Sequence, residues 1–194
     1  MTITVTSVNV NGIRAATRVR SAENPGFLAW LESTNADIVC MQEVRATPAQ
    51  TADALAPALV DNGGCWHLCM QEAAAKGRAG VGILSRQAPL AVRTGIDVEE
   101  FARAGRYIEA DFAVDGKLTG ASEGDVLTVA SLYLPSGEVD TPRQDEKYRF
   151  MEGFSAFLQQ RATLVAAGSA PQTVVCGDWN IAHREEAVSY THLR

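Results

Sequence analysis

Positive charge is in short supply: 17 lysines and arginines stand against 23 aspartates and glutamates, a formal net charge of −6 over 194 residues. That balance argues against a protein that grips nucleic acid through bulk positive potential. It leaves room for one that holds divalent cations with carboxylates, because the cations offset acidic charge where phosphate is met. Long apolar runs are missing too. Arg, Asp, Glu or Gly interrupts every hydrophobic stretch before the roughly 18 residues that a membrane span needs. The opening Met-Thr-Ile-Thr-Val-Thr-Ser-Val-Asn-Val run lacks the basic flank of a signal peptide, so the expectation is a cytoplasmic protein with no membrane partner. Cysteine is sparse, with four in all. Cys40 and Cys176 sit in apolar strand-like runs, where a reduced thiol behaves as a small hydrophobe. Cys65, His67 and Cys69 would share one face of a strand, but that spacing matches no usual zinc pattern and lacks a fourth ligand. No repeat or long polar linker divides the chain, so one domain is expected.

What is present is a recurrent strand signal. Residues 3–9, 37–42, 80–85, 107–112, 125–133 and 173–176 are rich in β-branched or aromatic residues and end in turn or polar residues. Helices are predicted over 26–32, after Thr47-Pro48 and after Thr141-Pro142; Thr then Pro suits a cap followed by the first helical position. In the last of these, Tyr148, Met151, Phe154, Leu158 and Val165 recur at spacings that build one apolar face. Residues 114–124 read as a turn-rich surface connection. Helices interspersed with lone and adjacent strands predict a layered α/β arrangement, with helices covering the outer faces of sheets.

Polar clusters fall where apolar strands end, which is where layered folds display catalytic side chains. They are Asn9-Val10-Asn11-Gly12-Ile13-Arg14, Gln42-Glu43, Tyr133-Leu134-Pro135-Ser136-Gly137 and Gly177-Asp178-Trp179-Asn180. Each alone has a bland reading, since Asn-Gly is a turn signal, Glu at a strand end is commonly solvated and Gly-Asp is frequent in loops. Their combination carries the weight.

With Met41-Gln42-Glu43, Gly80-Val81-Gly82-Ile83-Leu84-Ser85, Gly105-Arg106-Tyr107-Ile108 and Cys176-Gly177-Asp178-Trp179-Asn180-Ile181 added, the set resembles the exonuclease III type of apurinic/apyrimidinic endonuclease. That type belongs to the endonuclease/exonuclease/phosphatase superfamily with the deoxyribonuclease I fold. The likeness covers residues 1–186 and resembles the family's N-terminal two-thirds. It implies a four-layer α/β sandwich, incomplete at its C-terminus, with two sheets face to face, helices outside and a site at one edge.

Carried over position by position, the resemblance implies that Glu43 holds Mg²⁺, with Mn²⁺ as a substitute, supported by Asn9. Asp178 orients or deprotonates the attacking water, and Asn180 donates to the phosphate as charge develops. The metal set is then Asn9, Glu43, Asp178 and Asn180. Asp178 and Asn180, two apart in an extended segment, are expected to point the same way, with Trp179 turned into the packing. Tyr133 resembles the family's active-site tyrosine, a hydrogen-bond donor to a phosphate oxygen, although strand-end tyrosines are commonly only packed. Asn11, Arg14, Arg106 and Lys147 match or lie near positions that contact the DNA backbone, with surface ion pairs as the competing reading for Arg106 and Lys147. His183 reads as structural or solvent-facing.

The resemblance also implies a later aspartate and a closing Ser-Asp-His motif, and neither occurs here; His192 is not preceded by Asp. Residues 187–194 lie outside the likeness and look similar to sequencing-adapter read-through. The expected parent activity is cleavage 5′ to abasic sites, with 3′ to 5′ exonuclease and 3′-phosphatase action by a monomer on double-stranded DNA with abasic sites or 3′ ends. Little or no turnover is expected from this partial constellation alone. The competing readings are a superfamily phosphohydrolase acting on RNA, inositol phosphates or phospholipid headgroups, and a noncatalytic DNA- or partner-binding remnant.

Overall fold

The computed structural model describes residues 2–114 and 124–181. The connection expected over 114–124 falls almost wholly outside them, and His183, His192 and the tail 187–194 lie outside entirely. In chain order the elements are β1 (Val5–Asn9), α1 (Ile13–Ala16), α2 (Phe27–Ser33), β2 (Ile38–Gln42), α3 (Pro48–Leu55), β3 (His67–Gln71), β4 (Val81–Ser85), β5 (Ala91–Thr94), β6 (Tyr107–Ala113), β7 (Val126–Tyr133), α4 (Pro142–Ala166) and β8 (Gln172–Asp178). Two sheets result, in the orders β1-β2-β4-β3 and β5-β6-β7-β8. The pairs β1/β2 and β7/β8 are parallel and the rest antiparallel.

Side-chain alternation sorts the apolar residues into three layers of core. Ile38 and Cys40 of β2 meet Ile108, Ala110, Phe112 and Val129 between the sheets. Val39 and Met41, the intervening residues of β2, face outward onto Ile13, Leu31 and Leu55 of the first three helices. On the far side, Tyr107, Ala130 and Leu132 pack under Phe150 and Phe154 of α4. β2 is buried on both faces and therefore reads as a continuous apolar run. This is the four-layer sandwich that the resemblance implies.

Local chemistry sets the helix positions. Thr47 and Gln50 form a reciprocal capping box at the start of α3, with Pro48 at the first helical position. Thr141 differs from expectation: its hydroxyl donates to the Glu138 carbonyl at 2.7 Å and caps nothing. The buried stripe of α4 also differs, since Tyr148 is exposed and Phe150 takes the inward place. Under that helix, Glu109 is buried, accepts from the Tyr107 hydroxyl at 2.7 Å, and pairs with Arg161 of α4 and Arg93 of β5. A carboxylate buried there survives because both cations and the phenol satisfy it.

Two strands and a helix escape the sequence pattern. β5 is exposed along its whole length, β3 is half-buried with no alternation, and α1 has a single buried residue in four. Cys65 precedes β3, so it does not share a strand face with His67 and Cys69; its sulfur accepts from Arg86 at 3.1 Å. Cys40 is buried as expected, whereas Cys176 is only half-buried against it, and both are free thiols.

Phe154 contacts Tyr107, Phe150 and Phe157 and anchors α4 on the second sheet. Phe154→Ala is expected to lower stability by about 3–5 kcal/mol in urea unfolding. An unchanged midpoint would show that the helix is held by other means.

Candidate active site

The parallel pairs β1/β2 and β7/β8 run their C-terminal ends to the same edge of the sandwich, bringing Asn9, Gln42, Tyr133 and Asp178 into register. A buried polar link fixes the two sheets just beneath that edge. Gln42 Nε2 donates to Ser131 Oγ at 3.0 Å, and Ser131 Oγ donates to the Met41 carbonyl at 2.9 Å. Leaving either partner unsatisfied in so dry a place costs about 1–3 kcal/mol, so the link defines one sheet-to-sheet register.

Above it, Asn9 Nδ2 donates to Glu43 Oε1 at 2.7 Å and to Asp178 Oδ2 at 2.8 Å, joining the carboxylates of two different sheets through one amide. Asn9 Oδ1 accepts the Asn11 backbone N–H at 3.0 Å, which orients that amide. The sequence places the turn that makes this possible. Asn11 adopts φ 46°, Gly12 φ 94°, and the Gly12 and Ile13 amides donate to the Glu43 and Val44 carbonyls. Glu43 is itself left-handed, at φ 52°, a conformation that costs a residue with a Cβ roughly 1–2 kcal/mol. Its side chain accepts from Asn9, pairs with Arg45 and hydrogen-bonds Tyr133, and these partners hold the strained backbone in place.

Tyr133 is half-buried, and its pKa is pushed up to about 12, first by burial and then by the neighbouring Glu43 carboxylate. It therefore remains a protonated donor through neutral and mildly alkaline pH. Arg106 lies over its ring, 5.4 Å from the centroid, and reaches Glu146 at 3.4 Å. Burial pulls the Arg106 pKa down, while Glu146 and Tyr133 oppose that pull. The ion-pair reading of Arg106 thus coexists with its place beside the tyrosine.

Asn180 corrects the expectation of simple alternation. β8 ends at Asp178, and Asn180 turns left-handed at φ 48°, so the two side chains do not continue one extended face. Its backbone N–H donates to Asp178 Oδ1 at 3.0 Å and its Nδ2 to the Leu134 carbonyl at 2.8 Å. Lys147 forms no ion pair among the described residues; its ammonium holds the Asn180 and Ser136 carbonyls, at 2.7 and 3.3 Å. Trp179 turns into the packing only in part: its ring meets that of the buried Phe154, with centroids 6.0 Å apart, while 39% of the residue stays exposed. Arg14, on α1, stands apart from the carboxylates and lines a groove with Arg45, Lys76 and Arg78. Sequence reasoning missed Arg45, Arg78 and Ser131. Arg45 lies two residues past Glu43 and could have been found from that spacing, whereas Ser131 carries no signal inside an apolar strand.

Among the described residues no three acidic, histidine or cysteine side chains gather as a ready metal cage. The donor chemistry nevertheless fits Mg²⁺, which uses one or two carboxylates and keeps several waters. Glu43 and Asp178 supply the two carboxylates. Asn9 turns its nitrogen toward them as placed, so its oxygen would serve a cation only after the amide flips.

Residues 6–191 match the model of the Endonuclease/Exonuclease/phosphatase family. The chain is similar to an exodeoxyribonuclease of Bacillus subtilis, 29% identical over 92% of this chain and 59% of the relative. It is also similar to a DNA-(apurinic or apyrimidinic site) endonuclease of Dictyostelium discoideum, 27% identical over 86% of this chain and 40% of the relative. The solved structure of an AP endonuclease from Archaeoglobus fulgidus superimposes with a TM-score of 0.65 at 25% identity, over 94% of this chain and 59% of that one. The chain thus spans about half the length of the curated relatives it matches.

Asp178 depends on the glycine before it. A Cβ on Gly177 would lie 2.0 Å from the Leu132 carbonyl oxygen, so β8 must move off β7 to accept one. Gly177→Ala is expected to destabilise the protein by about 1–3 kcal/mol and to shift the near-ultraviolet circular dichroism of the adjacent Trp179. A variant with unchanged stability and spectrum would show that this close approach does not set the position of Asp178.

Proposed function

Because this chain belongs to the endonuclease/exonuclease/phosphatase family, we propose that it carries the metal- and phosphate-holding residues of a Mg²⁺-dependent DNA repair nuclease. The reaction is phosphodiester hydrolysis 5′ to an abasic site, together with 3′ to 5′ exonuclease and 3′-phosphatase action on duplex DNA. The observation that carries the reading is the Asn9 amide joining Glu43 to Asp178 beside a protonated Tyr133. The nuclease names of the relatives support the choice of DNA over other phosphate esters.

Mg²⁺ would be held by Glu43, with Asp178 and Asn9 next to it, and supplies charge neutralisation at the phosphate oxygens. Asp178 holds the attacking water by its proton and accepts that proton as the water attacks. On phosphate binding the Tyr133 hydroxyl would turn from the Glu43 carboxylate to donate its one proton to a phosphate oxygen, and its raised pKa keeps that proton in place. Asn180 keeps Asp178 oriented through its backbone N–H and retains one side-chain N–H for the phosphate. Arg14, Asn11, Arg106 and Lys147 meet the DNA backbone or support the groups that do. The same reading has the protein act as a monomer in the cytoplasm; no helix among the described residues is long and apolar enough to cross a membrane.

Since the resemblance adds an aspartate and a Ser-Asp-His motif that no described residue supplies, weak incision is expected from Glu43, Tyr133, Asp178 and Asn180 alone. Binding of an abasic duplex is expected to tighten with Mg²⁺, and Glu43→Ala to weaken the metal response at least about tenfold, read by fluorescence anisotropy against Mg²⁺ concentration. Binding indifferent both to Mg²⁺ and to Asp178→Asn would favour a noncatalytic DNA-binding protein. Robust Mg²⁺-dependent incision, abolished by Glu43→Ala, would instead show that these residues suffice for turnover.

A further inference from the structure

The ladder of β7 and β8 ends at the pair Tyr133 and Asp178, and a short run of hydrogen bonds carries the order past that end. The Leu134 N–H donates to the Asp178 carbonyl at 2.9 Å, and Asn180 Nδ2 donates to the Leu134 carbonyl at 2.8 Å. Asn180 is left-handed at φ 48°, and its own carbonyl accepts from a side chain of another layer, the Lys147 ammonium of α4, at 2.7 Å. The same ammonium reaches the Ser136 carbonyl at 3.3 Å, in the loop that follows Tyr133.

Helix geometry puts Lys147 at this junction. It stands three residues before Phe150 and seven before Phe154, so it shares the face of α4 that buries both rings on the second sheet. Its stem crosses Gly137: a Cβ on that glycine, whose φ is 69°, would lie 2.8 Å from Lys147 Cδ and 2.6 Å from Gln144 Oε1. A residue with no Cβ lets the loop approach the helix this closely. An ammonium carries three N–H donors, and two of them find backbone carbonyls here. Lys147 is half-buried and enters none of the ion pairs among the described residues. Its charge therefore meets carbonyl dipoles of two separate loops and no carboxylate.

We propose that Lys147 is a positioning residue, whose ammonium pins the Asn180 turn and the loop after Tyr133 to α4 and so fixes Asp178, and that it does not contact a DNA phosphate. The inference rests on the nuclease reading above for the meaning of the site, and on the contacts alone for the pin. The Asn180 N–H holds Asp178 Oδ1 at 3.0 Å, so a group that fixes the Asn180 turn also fixes the carboxylate. A lysine that grips phosphate behaves differently: its loss lowers the salt dependence of DNA binding and leaves the turn as it was.

The test combines amide hydrogen exchange, Mn²⁺ titration and abasic-duplex binding on the isotope-labelled 194-residue chain. Lys147→Met keeps the apolar stem and removes the ammonium. It is expected to speed exchange of the Asn180 N–H at least about tenfold, the effect of losing one charge-assisted contact. The Mn²⁺ concentration that broadens the Asn9 side-chain amide is expected to rise about tenfold, because Asp178 is no longer held. The salt slope of duplex binding, read by fluorescence anisotropy in EDTA, is expected to stay at its wild-type value, whereas loss of a phosphate contact lowers it by about 1. Gly137→Ala displaces the stem and keeps the charge; it is expected to reproduce the exchange and Mn²⁺ changes, and it keeps the test open should Lys147→Met not fold. The double variant is expected to add nothing to either single change, since both remove one pin. A salt slope lowered by about 1 in Lys147→Met would overturn the proposal and return this lysine to the DNA backbone. Wild-type values of the Asn180 exchange or of the Mn²⁺ response, or additive changes in the double variant, would overturn it as well. If the wild-type chain binds no abasic duplex, the nuclease reading falls, while the exchange measurement still decides for or against the pin.

Discussion

The two sheets of this protein are fixed to each other at one edge by a buried hydrogen-bonded link, Gln42 to Ser131 and Ser131 to the Met41 carbonyl. Elsewhere the described interface between the sheets is mostly apolar, built from residues such as Ile38, Ile83, Ile108 and Val129 with one long thiol contact from Cys40 to the Ala130 carbonyl at 3.7 Å, and apolar packing tolerates small slides that a buried amide does not. Because the link sits directly below the ends of β1, β2, β7 and β8, it sets the distance across which Asn9 must reach. The amide then meets carboxylates from both sheets at 2.7 and 2.8 Å. Site geometry in this molecule is therefore a consequence of sheet registration.

Backbone strain concentrates at the same edge. Asn11, Glu43, Arg45 and Asn180 all adopt positive φ, and three of them flank the Asn9–Glu43–Asp178 cluster directly. Asparagine tolerates this region; glutamate and arginine do not do so freely. Glu43 remains there because Asn9, Arg45 and Tyr133 each hold its carboxylate. Charge follows the same partition. Carboxylates face the joint between the sheets, and the guanidiniums of Arg45, Arg78, Arg106 and Arg143 line a cavity that Tyr133 also borders, so an acidic chain presents a local face suited to phosphate.

Much of this was legible in the sequence where local pattern and burial agree. β2, β4, β6 and β7 are buried and rich in branched residues, and their spans were readable to within a residue or two. β5 was not, because it is exposed along its length and carries no apolar period. Tyr148 was read as core although it lies on the solvent side of α4, since aromatic periodicity alone does not say which of two neighbouring stripes turns inward. At the site, Asn9, Glu43, Tyr133 and Asp178 were singled out and do converge. The position of Asn180 was misjudged because a left-handed residue breaks the period-two rule without any glycine to announce it. Arg45 and Arg78 were invisible to motif reading, for their meaning comes from a cavity assembled by distant segments.

The most direct measurement of the central claim is paramagnetic broadening of side-chain amide resonances on titrating Mn²⁺ into the isotope-labelled protein. The account predicts that the Asn9 side-chain amide broadens first, with Asn180 close behind, and that Glu43→Ala removes the selectivity. Broadening that spares Asn9 and appears instead around exposed carboxylates such as Glu99 and Glu100 would contradict the assignment of the Asn9–Glu43–Asp178 cluster as the metal and phosphate site.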